Sequence, residues 1–396
     1  MVARSLDEPN RAASRLELFF DLTFVVAIAK ITEELAHRIA AGELINSVTP
    51  FLQVFFAIWW AWMNFTWFAS SYDTDDVLYR ILTLLQIAGV LVLAVGVPEA
   101  VNANDYRAIA AGYFIMRIGL AAQWTRAAVE DPRRRVTALR YVVGISTAEL
   151  GWLLRVALDE SGVLPQQSLV PVFVALVLFE LAVPYWAERG GPTTTWHPHH
   201  IAERYGLFTI ILLGECVLGA STVVETRVQE GVVNEGLVMM AIAELLLVFA
   251  LWWLYFLEPS AEGLVNRRDR SFLWGYGHYG IFVALAALGA GLAVAVQYGD
   301  TQRISPFVVT YCIAVPVSLF LTLLYAVNAP VIPRLVIRPT MTLGGALVIL
   351  VLPLAANIVG PAAVVSAIAT VCALIVALTL NRRSREHDLR DAREFL

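Results

Sequence analysis

Four side chains carry most of the chemistry this sequence can offer: Glu17, Asp21, Arg204 and Glu215, all set in apolar runs. Glu17 and Asp21 stand four residues apart in R15-L-E-L-F-F-D21, so a helix stacks them on one face. Two carboxylates placed that way repel unless a cation, a proton or an arginine lies between them. The pair therefore suits passage of an ion or proton, or equally a structural ion pair with another segment. Lys30 and Glu34, also four apart, can neutralise each other. Lys30 follows Asp21 by nine residues, about 180° around the helix, and so is not the partner of Asp21.

Arg204, Phe208, Ile211 and Glu215 form one stripe of a second helix. The rise between its ends is about 16 Å, which keeps Arg204 and Glu215 apart. Arg204 is expected at the cytoplasmic mouth and Glu215 near the bilayer midplane. Gly206, Gly214 and Gly219 remove bulk for close packing or for a small ligand. Glu149, Glu180, Glu244 and Arg117 also fall near span centres, where a charge must face protein, a partner or water.

Secondary candidates surround these. His197, His199, His200 and Glu203 bracket Pro198, which predicts a solvated loop with Glu203 as a cap; the spacing lacks the i, i+4 pair of a helical zinc site, and no metal is expected. His278, beside Tyr276 and Tyr279, is a hydrogen-bonded core residue or a proton carrier. Asp73, Asp75, Asp76 and Arg80 lie in one short loop; capping of the following helix competes with a cation-attracting vestibule. No phosphate loop, nucleophile elbow or Ser/His/Asp set is present. Cys216, Cys312 and Cys372 each sit in an apolar run, as packing residues rather than a disulfide or thiolate metal set.

The elements that must position these groups are membrane helices. Of 396 residues 59% are hydrophobic and 15% charged, against about 25% charged in a soluble domain. Apolar segments of spanning length lie near 16–37, 48–69, 81–98, 106–128, 136–157, 169–187, 201–224, 237–257, 271–297, 306–328, 341–357 and 360–380. The first carries no cleavable signal pattern and is expected to remain as a helix. Most of the 28 basic residues fall in segments on one side, with Arg38, Arg107, Arg155, Arg227 and Arg303 on the other. That bias predicts both termini in the cytoplasm. Arg15-x-x-Leu18-Phe19, Trp59-Trp60 and Ala128-Val129-x-x-Pro132 recur in order as Arg204-x-x-Leu207-Phe208, Trp252-Trp253 and Ala326-Val327-x-x-Pro330. The expected fold is all-α, a polytopic membrane protein of about twelve transmembrane helices in two parallel six-helix repeats, 1–195 and 196–380, followed by a charged tail, 381–396.

Three motifs carry a resemblance: Glu17-Leu-Phe-Phe-Asp21-Leu-x-Phe24, the Asp73–Asp76 loop with Arg80, and His200-Ile-Ala-Glu203-Arg204-Tyr-Gly-Leu-Phe with Gly214-Glu215. Together they closely resemble the bacterial low temperature requirement protein A family. The resemblance spans essentially the whole chain and implies a multi-pass protein of the bacterial inner membrane, without naming a reaction. Arg15-Leu-Glu-Leu-Phe19-Phe-Asp21 also looks like the Arg-x-x-x-Phe-Ser-Asp first helix of two-repeat potassium channels, with Phe20 in place of the Ser. That analogy implies an arginine holding Asp21 at the cytoplasmic end of a bundle.

The reading is a transporter or channel for a small solute or ion, cation- or proton-linked, with Glu17, Asp21, Arg204 and Glu215 in the pathway and Arg15, Asp73, Asp76, Arg80, Arg117, His200, Glu203 and His278 as secondary candidates. Its rivals are an intramembrane enzyme acting on lipid or isoprenoid through His200, Glu203 and His278, and a non-catalytic scaffold or cold-stress sensor. The expected partners are the lipid bilayer and that solute or ion; neither a cofactor nor nucleic acid is expected.

Overall fold

The computed structural model describes residues 11–231, 233–301 and 304–394, together with Met1, Arg4 and Glu8. Arg303 and the last two residues of the charged tail lie outside the described residues. Among those described there is no strand. The helices run in order α1 Arg15–Ala40, α2 Leu44–Tyr72, α3 Val77–Val95, α4 Val97–Ala103, α5 Arg107–Glu130, α6 Arg135–Glu160, α7 Leu169–Glu188 and α8 Pro198–Gln229. They continue as α9 Glu235–Phe256, α10 Ser260–Asn266, α11 Ser271–Thr301, α12 Pro306–Asn328, α13 Pro339–Val351, α14 Ala356–Val359 and α15 Pro361–Glu394.

Local chemistry sets many of the boundaries. Asp76 accepts the Tyr79 N–H at 3.0 Å and starts α3, and Asn234 accepts the Leu237 N–H at 2.8 Å and starts α9. Ser305 caps α12 ahead of Pro306. Gly360, at φ 82°, breaks the chain between α14 and α15, a conformation that glycine adopts without strain.

Ten of the described helical stretches are long and apolar enough to cross a membrane. Helices α1 and α5, with 26 and 24 residues, are as long. They fall outside that group because α1 carries Glu17, Asp21, Lys30, Glu33 and Glu34 along its length, and because Arg117, Gln123 and two glycines lower the mean hydropathy of α5. The twelve crossings read from the sequence thus become ten on composition alone. Large apolar side chains cover the outside: Leu22, Ile242 and Leu347 are 60%, 63% and 66% exposed. In water that surface would be costly, whereas lipid covers it, and the chain is an integral membrane protein.

Two compact units divide the contacts, each discontinuous in sequence. The first comprises Met1–Ile31 and Val48–Arg204. Within it α3 packs along α5, α5 along α6 and α6 along α7. A Cβ on Gly89 would lie 2.6 Å from the Gly112 carbonyl oxygen, so α3 and α5 touch backbone to backbone there. The second comprises Thr32–Ser47 and Tyr205–Leu396. There α11 packs on α12, α12 on α13, and α9 along α15.

Candidate functional site

In the first unit a closed ionic cluster forms where α1, α2 and the first turns of α8 meet. Ser14 and Glu17 start α1 as a reciprocal cap: Glu17 Oε2 accepts the Ser14 N–H at 2.7 Å, and Ser14 Oγ accepts the Glu17 N–H at 3.3 Å. One turn on, Asp21 takes both Nε–H and Nη2–H of Arg204, at 3.0 and 2.6 Å. Arg204 Nη1 donates to Glu17 Oε1 at 2.7 Å, and the Trp62 indole N–H donates to Asp21 Oδ1 at 2.7 Å. Arg204 is fully buried and the two carboxylates are 1% and 3% exposed. A planar guanidinium satisfies two stacked carboxylates as a lysine cannot, by presenting two edges at once.

Histidine 200 belongs to this cluster and not to a solvated loop. It lies in the first turn of α8, fully buried, with Nε2 3.0 Å from Glu17 Oε1 but off the direction of a hydrogen bond. The sequence reading failed because Pro198 opens the helix as its first residue instead of interrupting it. Glu203 is exposed and accepts the Ala13 N–H at 3.2 Å. Arg15 is exposed, so the arginine on Asp21 is Arg204 of the second Arg-x-x-x-Phe copy, on α8, and not Arg15 of the first.

Beside the cluster, Arg11 donates to the carbonyl oxygens of Ala69, at 2.7 Å, and Ser70, which ties the chain before α1 to the end of α2. Asp73 follows that end, 3.5 Å from Arg4, with Oδ1 buried and without a hydrogen bond. Burial, with the nearby charge of Glu17, pushes the Asp73 carboxyl up to about 6 against the pull of Arg4 and Arg11. Asp76 behaves differently. It caps α3 and takes the Arg126 fork at 2.6 and 2.7 Å, which holds its carboxyl well below the usual range. Arg80 pairs with exposed Asp75 at 2.8 Å.

A second buried pair holds the middle of this unit. Arg117 donates to Glu180 at 2.7 Å, and Trp60 and Trp152 donate to the same carboxylate at 2.8 and 3.2 Å. Glu149 is 4% exposed with both oxygens unpartnered.

The second unit keeps carboxyls without cations. Glu215 on α8 is 7% exposed, and its Oε2 has no hydrogen-bond partner. Glu244 on α9 is 2% exposed, and neither oxygen has one. Glu244 lines a cavity of about 460 Å³ with Cys216, Ser221 and Glu225. The sequence places Glu244 near a span centre, but spacing alone gave no reason to prefer it over Glu149 or Glu180; the cavity supplies one. Gly214 meets nothing within 4 Å, while Gly206 admits the Phe256 ring, 2.9 Å from where a Cβ would stand. His278 is a buried, hydrogen-bonded residue: Nδ1–H donates to the Trp274 carbonyl at 2.7 Å, and Nε2 stands 3.2 Å from the Tyr255 hydroxyl.

Comparison with known proteins adds the family. The profile of the bacterial low temperature requirement A protein (LtrA) matches residues 12–378. The chain is 28% identical over 302 residues to the uncharacterized protein RA0937 of Rhizobium meliloti (strain 1021), covering 72% of this chain and 70% of that one. No solved structure matches.

Proposed function

The chain belongs to the bacterial low temperature requirement A family, and we propose that it passes a small cation or a proton across the bacterial inner membrane. One observation carries the reading: Glu244 is buried at a cavity of about 460 Å³ with neither carboxylate oxygen partnered by protein. A carboxylate at membrane depth costs roughly 2.5–3.5 kcal/mol on insertion scales. Left without an arginine, it needs a mobile companion, which is a proton, a metal cation or water. The cavity is wide enough for tens of water-sized groups at about 10–15 Å³ each. Ser221 and Glu225 add polar groups to its wall, and Glu215 precedes the wall residue Cys216.

Glu17, Asp21 and Arg204 have a different part in this reading. Their charges already meet one another in a packed cluster, so they fix α1 against the start of α8. The distribution of arginines supports both termini in the cytoplasm and counts α1 and α5 as crossing helices. The recurring motifs support two parallel repeats.

Reconstitution in liposomes tests the function. Sodium, potassium and proton gradients are imposed separately, and flux is compared with protein-free liposomes and with Glu244→Gln. Flux of one cation, lost in Glu244→Gln at equal insertion, is the expected result. Wild-type protein that passes none of the three removes the proposal.

A further inference from the structure

Arg155 is a buried cation of the first unit that, unlike Arg11, neither a carboxylate nor a backbone carbonyl holds among the described residues. It is 4% exposed near the end of α6, its Nε has no hydrogen-bond partner, and no protein acceptor takes its other N–H groups among the described residues. The sequence placed it in an outer segment, where water would have met its charge. Instead its guanidinium lies 5.2 Å from the Tyr106 ring centre and 5.7 Å from that of Phe173. Asp159, one turn on, is within electrostatic reach but forms no ion pair with it.

The guanidinium faces a cavity of about 50 Å³ within the first unit, walled by Val54, Phe56, Ile109, Trp152 and Phe173. Gln53 also lines it. Its amide oxygen takes the Tyr106 hydroxyl at 2.6 Å, which leaves the amide N–H₂ as a second donor. The start of α2, the start of α5, the end of α6 and the start of α7 all contribute, and these lie at one end of the bundle by connectivity. At the nearby surface Arg107 occupies Asp105 and Glu160, at 2.5 and 3.0 Å.

We propose that this cavity binds a small monocarboxylate, with its carboxylate on Arg155 and Gln53 and its short apolar part among the aromatic rings. Three features select that chemistry. A single buried guanidinium balances one negative charge, so a phosphate dianion would stay half uncompensated. The planar fork matches a carboxylate with two parallel hydrogen bonds. At about 10–15 Å³ per water-sized group the cavity takes three to five such groups, the size of propionate. The proposal is independent of the cation pathway, which lies in the second unit.

Full-length protein purified in detergent tests it, with sodium propionate as the probe and sodium chloride and sodium phosphate at matched ionic strength. Propionate raises Tm saturably while chloride and phosphate do not. Arg155→Gln raises the half-saturating concentration at least about ten-fold, because Gln keeps at most one of the fork's two hydrogen bonds and none of its charge. Ala57→Leu, which fills the cavity and leaves Arg155 in place, abolishes the shift and decides the matter if Arg155→Gln does not fold. A wild-type protein indifferent to propionate, an equal response to chloride or phosphate, or an unchanged response in the variants overturns the proposal.

Discussion

Arg204 and Asp21, 183 positions apart, meet edge to edge through two hydrogen bonds of 3.0 and 2.6 Å. Asp21 also accepts the Trp62 indole N–H, and Arg204 reaches back to Glu17 with its remaining nitrogen. Every group in the set depends on another. Removing the arginine leaves two buried carboxylates stacked on one helix turn, while removing one carboxylate leaves a pair.

Arg204→Met is therefore expected to cost about 3–5 kcal/mol, the usual loss when a buried ion pair loses one partner. Arg204→Lys restores the charge but only one of the two edges, and should recover part of the loss. Adding Asp21→Leu to Arg204→Met should regain stability relative to Arg204→Met alone, because the unpaired charge goes with its partner. Thermal unfolding in detergent, at matched expression, reads all three. A double variant less stable than Arg204→Met would show that the Trp62 indole N–H, left without its acceptor, costs more than the unpaired Asp21 charge.

Asp73 provides the pH dependence. Its carboxyl is raised to about 6 by burial and by Glu17, with Asp75 adding to the rise and Arg4 and Arg11 opposing it. The unfolded chain titrates this group near 3.9. The folded state thus binds the proton more tightly, so the stability it gives is full below about pH 4 and is lost as the pH rises to about 6. The size is roughly 3 kcal/mol, since a pKa unit corresponds to about 1.4 kcal/mol. Asp73→Asn should flatten the profile between pH 4 and 6 and leave Arg204 unaffected. A wild-type Tm that rises across that window would contradict the assignment.

The helices were legible because apolar runs of spanning length have few other meanings. The break near Gly360-Pro361 was legible too, since those residue types act locally, and capping by the Asp73–Asp76 loop was one of two readings, which the structure assigns to Asp76. The partner of Asp21 was not. Spacing says which residues share a face of one helix, and it excluded Lys30; it does not say which distant helix turns toward that face. Ser14-x-x-Glu17 is a capping box and was a missed signal that Glu17 is committed to the helix start. Arg155 was missed for a different reason. A basic residue five positions before a helix end reads as a solvated end, and only the ring of Tyr106 and Phe173 around it shows otherwise.

Gly112 tests the packing of the first unit. A Cβ at Gly89 would stand 2.6 Å from its carbonyl oxygen, and a side chain on Gly112 itself would press on the backbone of Leu93. Gly112→Ala is expected to cost about 1–3 kcal/mol, the range for an overpacked contact without room to relax. Gly344, which meets nothing within 4 Å, serves as the control. Gly344→Ala should be neutral or stabilising by up to about 1 kcal/mol, because alanine is the better helix former. Equal effects at the two sites would mean that α3 and α5 are not in backbone contact.

Glu244 and Arg204 separate function from framework. Glu244→Gln keeps shape and removes a charge that no protein group balances, so it should leave Tm within a few degrees and abolish cation flux. Glu215→Gln should reduce flux and leave its cation preference in place, because Glu215 sits beside the cavity wall and Glu244 is part of it. Variants of Arg204 should do the reverse, lowering Tm while the protein that does fold retains flux per molecule. The measurement is flux and Tm on the same preparations. A fully active Glu244→Gln would return Glu244 to a packing role, and loss of flux in well-folded Arg204→Lys would move the pathway to the cluster around Asp21.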